Sequence, residues 1–159
     1  MSAPAPPLVD GGSPAVEWFT RLGVSGQFLL LGGAAGVIVA FFPLVSYSAK
    51  LIEFPGVMVI DDWRGLLTVI GYLAAIVLAV VLYPVGGGAQ RKHTWAALGL
   101  GGVLILVGVW LFLTAVRASG GLFAGDTSAS VGLGAILNLV TAGAVLTGAI
   151  WKAREERLV

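Results

Sequence analysis

Four intervals of the chain, 22–49, 65–90, 93–116 and 127–151, contain no Asp, Glu, Lys or Arg. Each is long enough for the roughly 20 residues that an α-helix needs to cross a hydrocarbon core of about 30 Å. In lipid the backbone has no water to bond, so only helices and closed barrels are stable spanning structures. Barrel strands alternate polar and apolar residues over about ten positions, and these apolar runs are about twice that length. The sequence therefore predicts an all-α membrane protein, with transmembrane helices at 27–46, 66–84, 95–116 and 131–151. Short connections would join the four helices into an up-down-up-down bundle. The composition agrees: 58% of residues are hydrophobic and 11% charged, against about a quarter charged in soluble domains.

Tryptophan marks the ends of these segments. Indole prefers the headgroup level, where its ring meets apolar surroundings and its N–H stays wet. Trp18, Trp63, Trp95 and Trp151 fall near expected boundaries. Trp110 lies about two turns inside Arg117, which also suits packing between helices. Lys and Arg counts in short loops set the orientation. Arg21, Arg91, Lys92, Lys152, Arg154 and Arg157 collect on one side, and Lys50, Arg64 and Arg117 on the other. Both termini are thus expected in the cytoplasm, in a multi-pass protein of the plasma (inner) membrane.

Residues 1–13 lack the basic start and apolar core of a signal peptide and read as a disordered tail. A single helical domain over 14–159 follows. Ser13 and Pro14 have the chemistry of an N-cap and a first helical residue, and Glu17 suits the positive end of that helix. Trp18, Phe19 and Leu22 share a side, so this short helix is expected to lie on the membrane surface.

Charge gathers in EFPGVMVIDDWRG, residues 53–65, between the first two spans. Glu53, Asp61, Asp62, Trp63 and Arg64 make this loop the candidate partner-binding surface. A structural account also covers most of it. Pro55-Gly56 is a turn signal, and 57–60 is a short extended segment or an apolar patch dipping into the interface. Asp61 or Asp62 can cap the second helix while complementing its dipole. Trp63 then anchors that end, and Arg64 pairs locally or meets lipid phosphate. A calcium ion held by Glu53, Asp61 and Asp62 would need roughly six to eight oxygen ligands, and the spacing matches no EF-hand loop.

Other chemistry lacks its parts. The chain has no Cys and one histidine, His93, so thiolate catalysis, a histidine metal cluster and bis-histidine haem are all excluded within one chain. GGGAQRK at 86–92 lacks the order of a phosphate-binding loop and follows no strand. A serine triad needs a base near the hydroxyl, and Ser25, Ser46 and Ser48 have no histidine on their expected side. No cofactor and no enzymatic activity are expected, and the net charge of +1 gives no reason to expect nucleic acid. Ion pathways leave ionisable residues within spans, and here the most central strongly polar residue is Asn138, with Thr141 and Thr147 nearby. An interhelical hydrogen bond is the plain role for Asn138, a pore lining the alternative.

Small residues give the clearest positive signal. GGAAG at 32–36 contains GxxxG through Gly32 and Gly36. Gly99 and Gly102 repeat the small surface in the third span, and Gly143 and Gly148 in the fourth. Such residues let helices approach until van der Waals contact replaces the hydrophobic drive that is missing in lipid. Leu30, by contrast, is expected to face lipid. The topology is similar to that of many tetraspan proteins, but the first loop lacks the W…GLW…C…C pattern of claudins and the chain lacks the Cys-Cys-Gly of tetraspanins. The sequence thus reads as a non-enzymatic scaffold or accessory subunit, in contact with the lipid bilayer and with other membrane proteins or itself. A small oligomeric channel or transporter lined by Ser, Thr and Asn138 is the alternative.

Overall fold

The computed structural model describes residues 13–49, 52–54, 57–82, 88–119 and 129–157. Most of the expected N-terminal tail, the Pro55-Gly56 turn and most of the loops at 86–88 and 119–121 lie outside them. Five α-helices dominate: α1 Pro14–Arg21, α2 Gly23–Val39, α3 Trp63–Val77, α4 Gly88–Ala118 and α5 Leu133–Glu155. A π-helical turn, Leu78–Leu82, extends α3.

Pro14 opens α1 where its missing N–H costs nothing. The Ser13 carbonyl accepts the Val16 and Glu17 amides at 2.8 and 3.2 Å, while its hydroxyl makes no capping bond. Gly23 has φ +66°, a backbone conformation open to glycine, and here the axis swings by 108° from α1 to α2.

The first apolar run does not stay helical to residue 46. Helix α2 ends at Val39, and Val45–Ala49 forms strand β1. Pro43 cannot donate to a helix ladder, and the backbone around it is used differently. Leu44 N–H bonds the Val57 carbonyl at 2.7 Å, Val59 N–H the Phe42 carbonyl at 3.1 Å, and Gly134 N–H the Pro43 carbonyl at 2.9 Å. Strand β1 pairs antiparallel with β2, Ile52–Phe54, and with β3, Ala129–Val131, in the order β2-β1-β3. Tyr47 stands opposite Phe54 on one side and Ala129 on the other. One sheet thereby joins the α2–α3 connection to the segment that leads into α5.

Helix α2 packs against α3 and α5, and α4 against α3 and α5. Leu29, Tyr72, Leu104 and Val145 form one buried cluster, and Leu44, Val59, Leu111 and Ala135 a second beside the sheet. Leu30 packs half-buried on the first cluster, contrary to the expectation from sequence, and Leu31, 57% exposed, takes the outward position. Three helices, Trp63–Val80, Arg91–Ala118 and Leu133–Glu155, are long and apolar enough to cross a membrane, and the bent pair α1–α2 passes the same test when taken together. Their outward residues remain apolar, as at Ile70, Leu106 and Val140. Lipid, unlike water, sets no penalty on such a surface.

Glycine contacts sort by position. A methyl group at Gly148 would stand 2.9 Å from the Ser25 carbonyl, and one at Gly101 2.9 Å from Leu146 Cα. At Gly132 it would run into the Pro43 carbonyl, and at Gly65 into that of Val59. Gly99, Gly102 and Gly143 face open space. We predict that Gly132→Ala and Gly148→Ala each destabilise by about 1–3 kcal/mol, since backbone must move to admit the methyl. Gly99→Ala and Gly143→Ala should stabilise by up to about 1 kcal/mol through helix propensity. Denaturant titration in detergent separates the two pairs, and equal effects would remove the close-contact account.

Candidate functional site

Polar side chains gather at three levels: beside the sheet, at mid-height, and at the opposite end of the helices. Beside the sheet, Asp62 is the N-cap of α3, and its Oδ1 accepts the Arg64 amide at 2.9 Å. Asp61 serves a different turn, its Oδ2 accepting the Met58 N–H at 3.0 Å across the short 3-10 helix Val59–Asp61. The two adjacent carboxylates are thus divided between two backbone donors. Glu53 lies in β2 opposite Ser48. Among the described residues no group of three or more His, Cys, Asp or Glu side chains comes together.

Arg64 is the centre of this level. Its Nη1 lies 3.5 Å from Asp62 Oδ2, and its Cζ sits 4.1 Å from the Trp110 ring centre and 5.3 Å from that of Trp63. The two indoles meet edge to face at 6.3 Å. A guanidinium over an indole face gains about 0.5–2 kcal/mol from the ring quadrupole, more where water is excluded. Trp63 is 61% exposed and Trp110 45%, so both keep surface for the headgroup level. Sequence position alone set Trp110 apart near Arg117. The packing joins it to Arg64 and Trp63.

At mid-height the Tyr72 hydroxyl lies 2.9 Å from the Asn138 carbonyl, from Asn138 Oδ1 and from Thr141 Oγ1. Tyr72 is fully buried and Asn138 1% exposed. Thr141 also reaches the carbonyls of Leu137 and Asn138 at 3.0 Å. Gly36 lies under the Tyr72 ring, where a Cβ would collide with it, and a Cβ at Gly33 would stand 2.9 Å from the Tyr72 carbonyl. Gly32 faces α5 instead, against Val145. Sequence reasoning named Gly32, Gly36 and Asn138 but not Tyr72. The available signal was that Tyr72 is the one phenol in a 66–82 segment whose only other polar side chain is Thr68, and a buried phenol needs a partner.

At the far end, Thr94 Oγ1 donates to Glu156 Oε2 at 2.8 Å, and Ser25 Oγ lies 3.5 Å from Glu155 Oε2. Lys152 Nζ stands 3.7 Å from both glutamates. His93, half-buried, precedes Thr94 on α4 and so lies at the same end as Ser25, contrary to the expectation from sequence. These bonds bring the starts of α2 and α4 to the end of α5. Arg21, Arg91, Lys92, Lys152, Arg154 and Arg157 therefore share one end of the molecule, and Arg64 and Arg117 lie at the sheet end.

Two substitution sets test these ties. Asp62→Asn should change stability little, because Asn caps about as well as Asp, whereas Asp62→Ala should cost about 0.5–2 kcal/mol. Tyr72→Phe should cost about 0.5–1.5 kcal/mol. In a double-mutant cycle it should lose part of that effect once Asn138 is already Ala, and more once Thr141 is Val as well, because the hydroxyl also reaches Thr141 Oγ1 and the Asn138 carbonyl. Full additivity would mean that the 2.9 Å contacts carry no coupling. No protein-family model matches the chain and no curated protein is significantly similar to it, so the functional reading rests on this geometry.

Proposed function

We propose that this chain is a non-enzymatic integral membrane protein that crosses the bilayer four times, with α2 as the fourth span, and acts as a scaffold or accessory subunit of a membrane assembly. The observation that carries the reading is the use of the interior polar groups. Tyr72, Asn138 and Thr141 bond to one another and to helix carbonyls, which is the chemistry of a packed core. The alternative, a channel lined by Ser, Thr and Asn138, needs these groups turned toward water, and burial of Asn138 to 1% exposure argues against it.

Recognition is assigned to the sheet end. Two loops build one sheet there, and backbone bonds fix it onto the helix ends. A surface ordered before binding loses less entropy when a partner docks. Phe41, Phe42, Val57, Met58 and Trp63 are exposed at this end, and exposed apolar patches mark contacts with proteins or membrane. The six basic residues at the opposite end support a cytoplasmic location for both termini under the positive-inside rule.

A photo-reactive amino acid at Met58 should give a discrete protein adduct in intact cells, while one at the lipid-facing Leu106 should give lipid adducts alone. Lipid adducts alone from both positions would sink the scaffold reading. For orientation, an impermeant maleimide should label Val57→Cys and spare Gln90→Cys, a clean comparison in a chain without native cysteine. The reverse pattern inverts the topology.

A further inference from the structure

Two cavities lie along helix α5. The first, about 330 Å³, lies between α2 and α5, with Gly32 and Ala35 on one wall and Val140 and Ala144 on the other. The second, about 460 Å³, lies on α5 at Thr147, Ile150, Trp151, Arg154 and Glu155. Val140, Ala144, Thr147, Trp151 and Arg154 follow one another at intervals of three or four residues, so they stand on a single face of α5. The close approach at Gly32 and the small side chains of Ala35 and Ala144 leave a seam along that face. Its lining is mostly apolar, with Gln27, Thr141 and Thr147 as the polar side chains before Trp151 and Arg154.

Length and charge identify the occupant. From Val140 to Arg154 the helix rises 154 − 140 = 14 residues, about 21 Å at 1.5 Å each. One leaflet with its headgroups spans about 20–22 Å, half of a bilayer of roughly 40–45 Å. Arg154 has no ion-pair partner among the described residues, whereas Glu155 beside it lies 3.7 Å from Lys152 Nζ. A cation at the mouth of the seam, at the level of an indole, complements the phosphate of an anionic headgroup.

We propose that the two cavities act as one groove that holds one anionic phospholipid, its acyl chain along the α2–α5 seam and its phosphate on Arg154. The proposal rests on the membrane-spanning reading above. Purified protein in mild detergent, incubated with dioleoyl phosphatidylglycerol or dioleoyl phosphatidylcholine, is read by native mass spectrometry. The wild type should retain one phosphatidylglycerol. Retention of phosphatidylcholine, and of phosphatidylglycerol by Arg154→Gln, should be weaker by about fivefold, the effect of one basic contact at a lipid surface. Thr147→Trp fills the seam at an exposed position and should expel both lipids. Arg157→Gln, at the same end but outside the groove, should retain lipid like the wild type. Equal retention by Arg154→Gln, or retention unchanged by Thr147→Trp, overturns the proposal. So does competition by inorganic phosphate, which would leave only an anion site, or a dimer that Thr147→Trp abolishes, which would place a second copy in the seam. Release of the wild type from membranes by alkaline carbonate would defeat the membrane reading itself, so the two failures are distinguishable.

Discussion

Tyr72 holds three helices in register. Its ring lies over Gly36 on α2, its backbone belongs to α3, and its hydroxyl reaches Asn138 and Thr141 on α5. Each contact requires the others. Without the bare backbone at Gly36 the ring could not enter the core, and without the ring in the core the hydroxyl could not reach α5. The hydroxyl in turn must find partners there, because a phenol buried in a medium without water loses its hydrogen bonds to solvent. Packing and polarity thus select the same arrangement, which is how a helix assembly gains a single structure where lipid supplies no hydrophobic drive.

The sheet depends on a similar device. Gly65 and Gly132 stand where a side chain would collide with the carbonyls of Val59 and Pro43, and a Cβ at Gly134 would lie 2.6 Å from the Phe42 carbonyl. Glycine at the starts of α3 and α5 lets loop backbone settle directly onto helix ends. The Val59 and Pro43 segments then satisfy their own polar groups there, a requirement wherever backbone is buried. Asp62 completes one of these junctions by capping α3. Its Oδ2, 3.5 Å from Arg64 Nη1, also orients the guanidinium against Trp110, so a helix start in one loop is tied to an indole on α4.

Part of this was legible in the sequence. Charge-free intervals located α3, α4 and α5, because hydropathy reads the solvent of a helix directly, although α4 begins at Gly88, seven residues before the expected start at 95. Pro14 and the Asp61-Asp62 pair marked helix starts by chemistry that acts within one turn, and the structure gives the cap of α3 to Asp62. The end of α2 was not legible: the apolar run 40–46 suits a lipid-spanning helix and a packed strand equally, and only pairing with 57–60 and β3 decides between them. Composition showed that glycine would matter but not which way each one faces. Gly32 meets α5 and Gly36 meets α3, so one GxxxG serves two partners, and in α4 the contact falls on Gly101 instead of Gly99 or Gly102. The azimuth of a residue follows from its neighbours in space, and in an almost uniformly apolar helix no hydrophobic stripe reveals it.

Helix α5 is the element on which these ties converge. It meets the sheet through β3 at its start, Tyr72 at mid-height, and Ser25 and Thr94 at its end. Its last turn carries Glu155 and Glu156, charges that oppose the negative end of the helix dipole. Their placement is therefore not explained by the stability of α5 alone. It is explained by what they reach: Lys152 offsets both, and Ser25 and Thr94 bring α2 and α4 to the same point. Asn138 Oδ1, Thr141, Glu155 and Glu156 are thus turned toward other parts of the chain, while among the described residues Asn138 Nδ2 has no hydrogen-bond partner and Arg154 no ion pair. A protein arranged in this way has used most of its interior polarity to hold its own helices together.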